Sequence, residues 1–180
     1  MVRLDKDFSE IFSSQIISIF GGLIAGTLLV VYINKILLIP GMLILLPGFL
    51  EMRGNISGSF ASRLSSGLFL RVINPKKIKT KIIRGNLFAS FFLAIFISFV
   101  LGLIAFLFSY FIFGIFSFKI IFIPVFAGII ANSIEIPITL FTTLYLFNRG
   151  HDPNNIIGPF ITSTGDITSI VSLLMVVVLI

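Results

Sequence analysis

From about Leu87 to Phe113 the chain is nearly all Phe, Leu, Ile and Ala, and it carries no charge. As a helix this run is roughly 40 Å long at 1.5 Å per residue, more than the ~30 Å hydrocarbon core of a bilayer. No soluble domain of this size can hide such a segment and its neighbours. Only 11% of the 180 residues are charged and 57% are hydrophobic, with mean hydropathy +1.17; soluble domains carry about 25% charged residues. Strand-type alternation is missing, so the runs read as helices and not as a barrel. The expected fold is all-α: a polytopic integral membrane protein with five transmembrane helices.

The spans fall at about Ile11 to Ile33, Ile36 to about Leu70, Leu87 to Phe113, Ile120 to Phe147 and Ile156 to Ile180. Residues 1–10, with Asp5, Lys6, Asp7 and Glu10, read as an N-terminal cytoplasmic segment, and 11–180 as one transmembrane domain. The start mixes both signs and has no cleavage signature, so no removable signal peptide is expected. In the first span Ser14, Ser18, Gly22 and Gly26 recur every four residues, a stripe of small residues suited to close helix packing. The second region is too long for one straight span and is interrupted by Pro40, Gly41, Pro47, Gly48, Gly54 and Gly58, which predicts a kinked or broken helix. The third span offers no polar stripe and is expected to face lipid.

Arg71, Lys76, Lys77, Lys79, Lys81 and Arg84 crowd the loop RVINPKKIKTKIIR, which has no acid. Basic loops stay in the cytoplasm, so this loop sets the N-terminus inside and the C-terminus outside. Its charge serves orientation, with anionic-lipid binding the weaker reading and nucleic acid excluded as a partner. The absence of cysteine excludes disulfides and thiolate chemistry, and a single histidine argues against an imidazole-built zinc site. His151, in the turn before the fifth span, reads as a solvated turn residue.

Polar residues in three spans recur at helical spacing. Glu51, Asn55, Ser59, Ser62 and Ser66 form one stripe; Asn132, Glu135, Thr139 and Thr142 a second; Asn155, Pro159, Thr162, Asp166 and Ser169 a third. Residues three or four apart share a helix face, and three such stripes predict a common polar interior. Asp166 stands 14 residues before the C-terminus, ~21 Å along a helix and so near mid-bilayer. A carboxylate there must be protonated, paired across helices, hydrated or bound to a cation. Glu51 reads equally as an ion-pair partner of Arg53, if the helix breaks at Gly54, or as a cation carboxylate. Glu135 precedes Pro137, where a second break could free backbone carbonyls. Carboxylate, amide, hydroxyl and carbonyl are hard oxygen ligands, suited to Mg²⁺, Ca²⁺ or Mn²⁺. A wide polar cavity with few acids suits an ion that keeps its waters, which ranks Mg²⁺ first.

Two segments carry a family likeness. LLPGFLEMRGNISGSFASRLSSG resembles the second-helix signature of the MgtE-type and solute-carrier-family-41 magnesium transporters: a proline-containing apolar run, a Gly-Asn pair, small residues and Arg-Leu-Ser. DPNNIIGPFITSTGD resembles the loop and fifth helix of the same family. The resemblance covers roughly residues 15–180. It implies five helices per unit and a cation pore between two units, hence a homodimer for a chain with one unit. It implies that Asp166 is the pore aspartate, that Gly54 and Asn55 are the Gly-Asn pair, that Gly158, Pro159 and Thr162 lead to the aspartate, and that Asp152 and Pro153 form the cytoplasmic turn. Glu51 matches no fixed family acid. The long soluble N-terminal part of bacterial MgtE proteins, with its Mg²⁺-sensing CBS domains, is not among these residues, so gating is expected by another route or by a separate regulatory protein.

The expected function is a divalent cation transporter or channel, foremost for Mg²⁺. The candidate ion residues are Asp166, Asn55, Thr162, Gly54, Glu51, Glu135, Asn132 and Ser59. A Na⁺- or H⁺-coupled exchanger would use the same acids. An intramembrane enzyme is disfavoured, because the acids lie on separate spans and His151 lies in a loop. A non-transporting scaffold would have no reason to keep three polar stripes.

Overall fold

A computed structural model describes residues 2–179, with side chains from Asp5 to Leu179. The described residues form five helices: α1 Val2–Ile36, α2 Met42–Phe69, α3 Lys81–Phe113, α4 Lys119–Asn148 and α5 Pro153–Leu179. Among the described residues there is no strand. Among the described residues four helices, all but α2, are long and apolar enough to cross a membrane. α2 is 28 residues long but carries Glu51, Arg53 and Arg63. The polar residues 5–10 form early turns of α1.

The expected interruption of the second region occurs at one place only. α1 ends at Ile36, and the chain turns through Pro40 and Gly41, where Gly41 has φ 84°, a left-handed conformation that glycine adopts without Cβ strain. Beyond it α2 runs unbroken through Pro47, Gly54 and Gly58. α4 likewise continues through Pro124 and Pro137, so the break anticipated beside Glu135 does not form. α2 ends in a left-handed Arg71 (φ 58°), and the basic loop leads to Thr80, whose hydroxyl caps α3 by accepting from the Ile83 amide at 3.3 Å.

α2, α3, α4 and α5 pack together, and α1 packs on α5. The apolar core joins Phe49, Leu45 and Met42 of α2 with Ile123 and Ala127 of α4 and Leu173 of α5. α3 departs from expectation. Its Ser90, Ala94, Ser98, Gly102, Ala105 and Ser109 are buried, spaced every three or four residues, while Phe88, Phe92, Phe96 and Phe108 are exposed. The small residues were hidden among the phenylalanines, yet they form the packing face. Gly102 meets the backbone of Ile121, whose Cα would lie 2.9 Å from an added Cβ. Backbone cannot retreat as a side-chain tip can. Gly102→Val is therefore expected to lower stability by about 1–3 kcal/mol, seen as a lower thermal midpoint in detergent.

The α1 stripe is also turned from its expected place. Ser14 is buried, but Gly22 and Gly26 are exposed with no atom within 4 Å of an added Cβ. Close approach to α5 occurs instead at Gly21, against Ser163, and Ala25 is buried. The cause is helical pitch: steps of four residues advance ~400°, so Ser14 and Gly26 end up about 120° apart.

Candidate functional site

Arg53 is the largest fully buried side chain. A guanidinium is tolerated inside an apolar bundle only when its donors are met, and two neighbouring helices meet them. Its Nη1 donates to Asn132 Oδ1 and its Nη2 to Glu135 Oε2, both on α4. Its Nε donates to Ser169 Oγ on α5 at 3.4 Å. Thr168 Oγ1 lies 3.4 Å from the same Glu135 oxygen. Arg53, Asn132, Glu135 and Ser169 are all fully buried. Asn132 is oriented further by donating from Nδ2 to the Gly128 carbonyl at 2.6 Å. The α4 stripe thus faces inward as a structural ion-pair network.

The α2 stripe faces the other way. Glu51, Asn55, Ser59, Ser62 and Ser66 are all exposed, with Gly54 and Gly58 partly so. Positions two apart on a helix lie ~200° apart, so the inward turn of Arg53 forces Glu51 and Asn55 outward. The alternative of a Glu51–Arg53 pair is thereby corrected: the helix does not break at Gly54, and Arg53 pairs with Glu135. Asn55 Nδ2 instead donates to Glu51 Oε1 at 3.0 Å, one turn along the same face. An added Cβ at Gly54 or Gly158 would meet no atom within 4 Å, so the backbone is open at both points.

On α5, Thr162 is exposed and Asp166 half-buried. Glu51 is the charged group that bears on Asp166. The two carboxylates, from α2 and α5, therefore lie on one side of the chain, Glu51 exposed and Asp166 half-buried. No basic side chain among the described residues forms an ion pair with either. Also among those residues, no three Asp, Glu or His side chains converge into a metal-holding group. The chain brings two acids and the amide of Asn55, with the hydroxyls of Thr162 and Ser59 further along their helices. This is a set of hard oxygen ligands.

The eight sequence-picked residues thus divide. Glu51, Gly54, Asn55, Ser59, Thr162 and Asp166 lie on open surface of α2 and α5, whereas Asn132 and Glu135 lie behind them, held by Arg53. Arg53 was missed as the partner of Glu135, although its offset of two from Glu51 already turned it to the opposite face.

At the start of α1 a second polar cluster closes on the α4–α5 turn. His151 Nδ1 lies 2.8 Å from Glu10 Oε1, and Asn155 Nδ2 donates to Glu10 Oε2 at 3.0 Å. Lys6 Nζ reaches the Gly150 carbonyl at 2.7 Å. His151 is exposed in the turn, as its position predicts, and is bonded as well; its partner lies 141 positions away in sequence, beyond any local signal. Asp152 Oδ1 accepts from the Asn154 amide at 2.9 Å, and Pro153 opens α5. Asp-Pro is thus the cap of the helix that carries Asp166.

The model of the MgtE family, described as a divalent cation transporter, matches residues 46–176, from the middle of the first turns of α2 to near the end of α5. The chain belongs to the MgtE family. No curated protein matches the chain. The matched stretch contains both the Arg53 network and the open face, so the MgtE assignment rests on the helices that carry them. With its membrane-competent helices, this MgtE chain is a multi-pass membrane protein of a cation-transport family.

Proposed function

We propose that the chain transports Mg²⁺ along a path between two copies of itself, lined by α2 and α5 of each. Glu51 and Asp166 would hold the hydrated ion, and Asn55, Thr162 and Ser59 would orient its water. One observation carries the reading: two carboxylates on the open side of α2 and α5, Glu51 exposed and Asp166 half-buried, form no ion pair with a basic side chain among the described residues. Facing lipid, such a surface would cost several kcal/mol. Facing a second copy across a two-fold axis, it becomes a wet seam with four carboxylates, and a divalent cation relieves their repulsion. In this arrangement α2 crosses the membrane as well, giving five crossings with the N-terminus inside, a topology that the basic loop supports. Mn²⁺ and Ca²⁺ would compete for the same oxygens. Asn132 and Glu135 serve the path from behind.

The cysteine-free sequence makes the test direct. Single cysteines at Ser59 and Ser62, in protein reconstituted in liposomes, are expected to react with a water-soluble thiol reagent. Saturating Mg²⁺ should slow the reaction, and a cysteine at Phe96, which is exposed on α3, should stay inert. Equal silence at positions 59, 62 and 96 would place α2 against lipid and overturn the reading. So would liposomes that take up no Mg²⁺.

A further inference from the structure

The Arg53–Glu135 pair is unexplained by ion contact, since both side chains are fully buried behind the open face. Replacing such a pair by apolar residues is often neutral for stability, so its presence calls for another reason. The geometry around it supplies one. The Glu135 carboxylate lies in the space that a side chain on Gly165 would occupy: an added Cβ there would stand 2.7 Å from Oε1 and 3.3 Å from Cδ. Gly165 immediately precedes Asp166. The same carboxylate grips Arg53, two residues from both Glu51 and Asn55. One acid of α4 therefore touches α2 and α5 next to each of the two open-face carboxylates. Ser169, which accepts from Arg53, and Thr168, which donates to Glu135, fasten α5 to the two halves of the pair.

We infer that Arg53 and Glu135, seated against Gly165, form a positioning device that sets the rotation of α2 and the approach of α5, and so the distance between Glu51 and Asp166. This rests on the proposed ion path but concerns a different set of residues. The tip of a free glutamate would yield to a methyl group at Gly165. Here the carboxylate is held by Arg53, so the methyl group must displace the pair or the α5 backbone. Either movement alters the ion site without touching an ion ligand.

Gly165→Ala is expected to raise the half-saturating Mg²⁺ concentration for liposome uptake about tenfold, the usual scale for residues that orient metal ligands, with a smaller change in maximal rate. Adding Glu135→Asp withdraws the carboxylate by one methylene and should restore much of the loss. A pair that only held the fold together would give no such rescue. A second readout needs no flux: thiol labelling of Asn55→Cys should change in rate when Gly165→Ala is added, and return with Glu135→Asp. Unchanged half-saturation and labelling in Gly165→Ala, or a double variant no better than the single, would overturn the inference. Should Gly165→Ala fail to fold, Arg53→Lys, which keeps the charge and loses the two-pronged grip, takes its place, with the same labelling change expected and the same null result decisive. A wild-type protein without Mg²⁺ uptake would sink the transport reading alone, leaving the labelling result to decide this one.

Discussion

Asp166→Asn is expected to cut Mg²⁺ uptake by at least ~30-fold while the protein stays folded. Asparagine keeps the size and polarity of the side chain and removes only its charge. For an ion held through one water, about 5 Å from the carboxylate, the attraction to a divalent cation is roughly 7 kcal/mol at an effective dielectric of ~20. If only a third survives the competing solvation of ion and carboxylate, about 2 kcal/mol is lost per site, which is the ~30-fold stated. In the proposed path between two copies, two charges are lost, which deepens the effect. Asp166 is half-buried and makes no ion pair among the described residues, so no buried partner is orphaned and folding should hold. Glu51→Gln should act in the same direction more mildly, because Glu51 is fully on the open side and partly occupied by Asn55. The measurement is Mg²⁺ uptake into liposomes, with monodispersity in detergent as the folding control. Wild-type uptake by Asp166→Asn would remove this residue from the path and the proposed mechanism with it.

Helical spacing told which polar residues share a face, and it did so for the α2 and α4 stripes. It did not tell which way each face turns. Glu51, Asn55 and Ser59 face out while Asn132, Glu135 and Thr139 face in, though both sets looked alike as strings of acid, amide and hydroxyl. The difference is Arg53, whose guanidinium neutralises one acid and, by its register, excludes the other. Partner choice across 82 positions is a tertiary fact. The α5 stripe is divided for the same reason: Thr162 and Asp166 are open, and Ser169 is drawn inward by Arg53. Proline and glycine were over-read as breaks. Pro47 and Pro137 both lie inside continuous helices, where neighbouring helices and back-bonded side chains such as Thr139, which donates to the Glu135 carbonyl at 2.8 Å, support the backbone. Small residues were under-read in α3, where Ser90, Ala94, Ser98, Gly102, Ala105 and Ser109 form the buried face and Gly102 lets the Ile121 backbone of α4 come close.

Arg53→Met should destabilise the protein by about 3–5 kcal/mol, and Arg53→Met/Glu135→Met should recover most of that loss. The single change leaves the Glu135 carboxylate fully buried beside the hydroxyls of Ser57 and Thr168, and a hydroxyl cannot replace a cation. The double change removes both charges and fills the space with flexible apolar side chains of similar length. What remains unmet is the Asn132 amide oxygen, a neutral group costing about 1–3 kcal/mol at most. Thermal unfolding in detergent, followed by loss of monodisperse protein, orders the three proteins: wild type and double variant close together, single variant well below. Equal midpoints for single and double variants would mean that the acid is not paired in the folded protein. The double variant also separates stability from function. If the ion pair serves only to hold helices together, the recovered fold should carry ions as before. If it fixes the angle at which Glu51 and Asn55 leave α2, the stable double variant should carry Mg²⁺ poorly, because methionines pack without dictating a rotation.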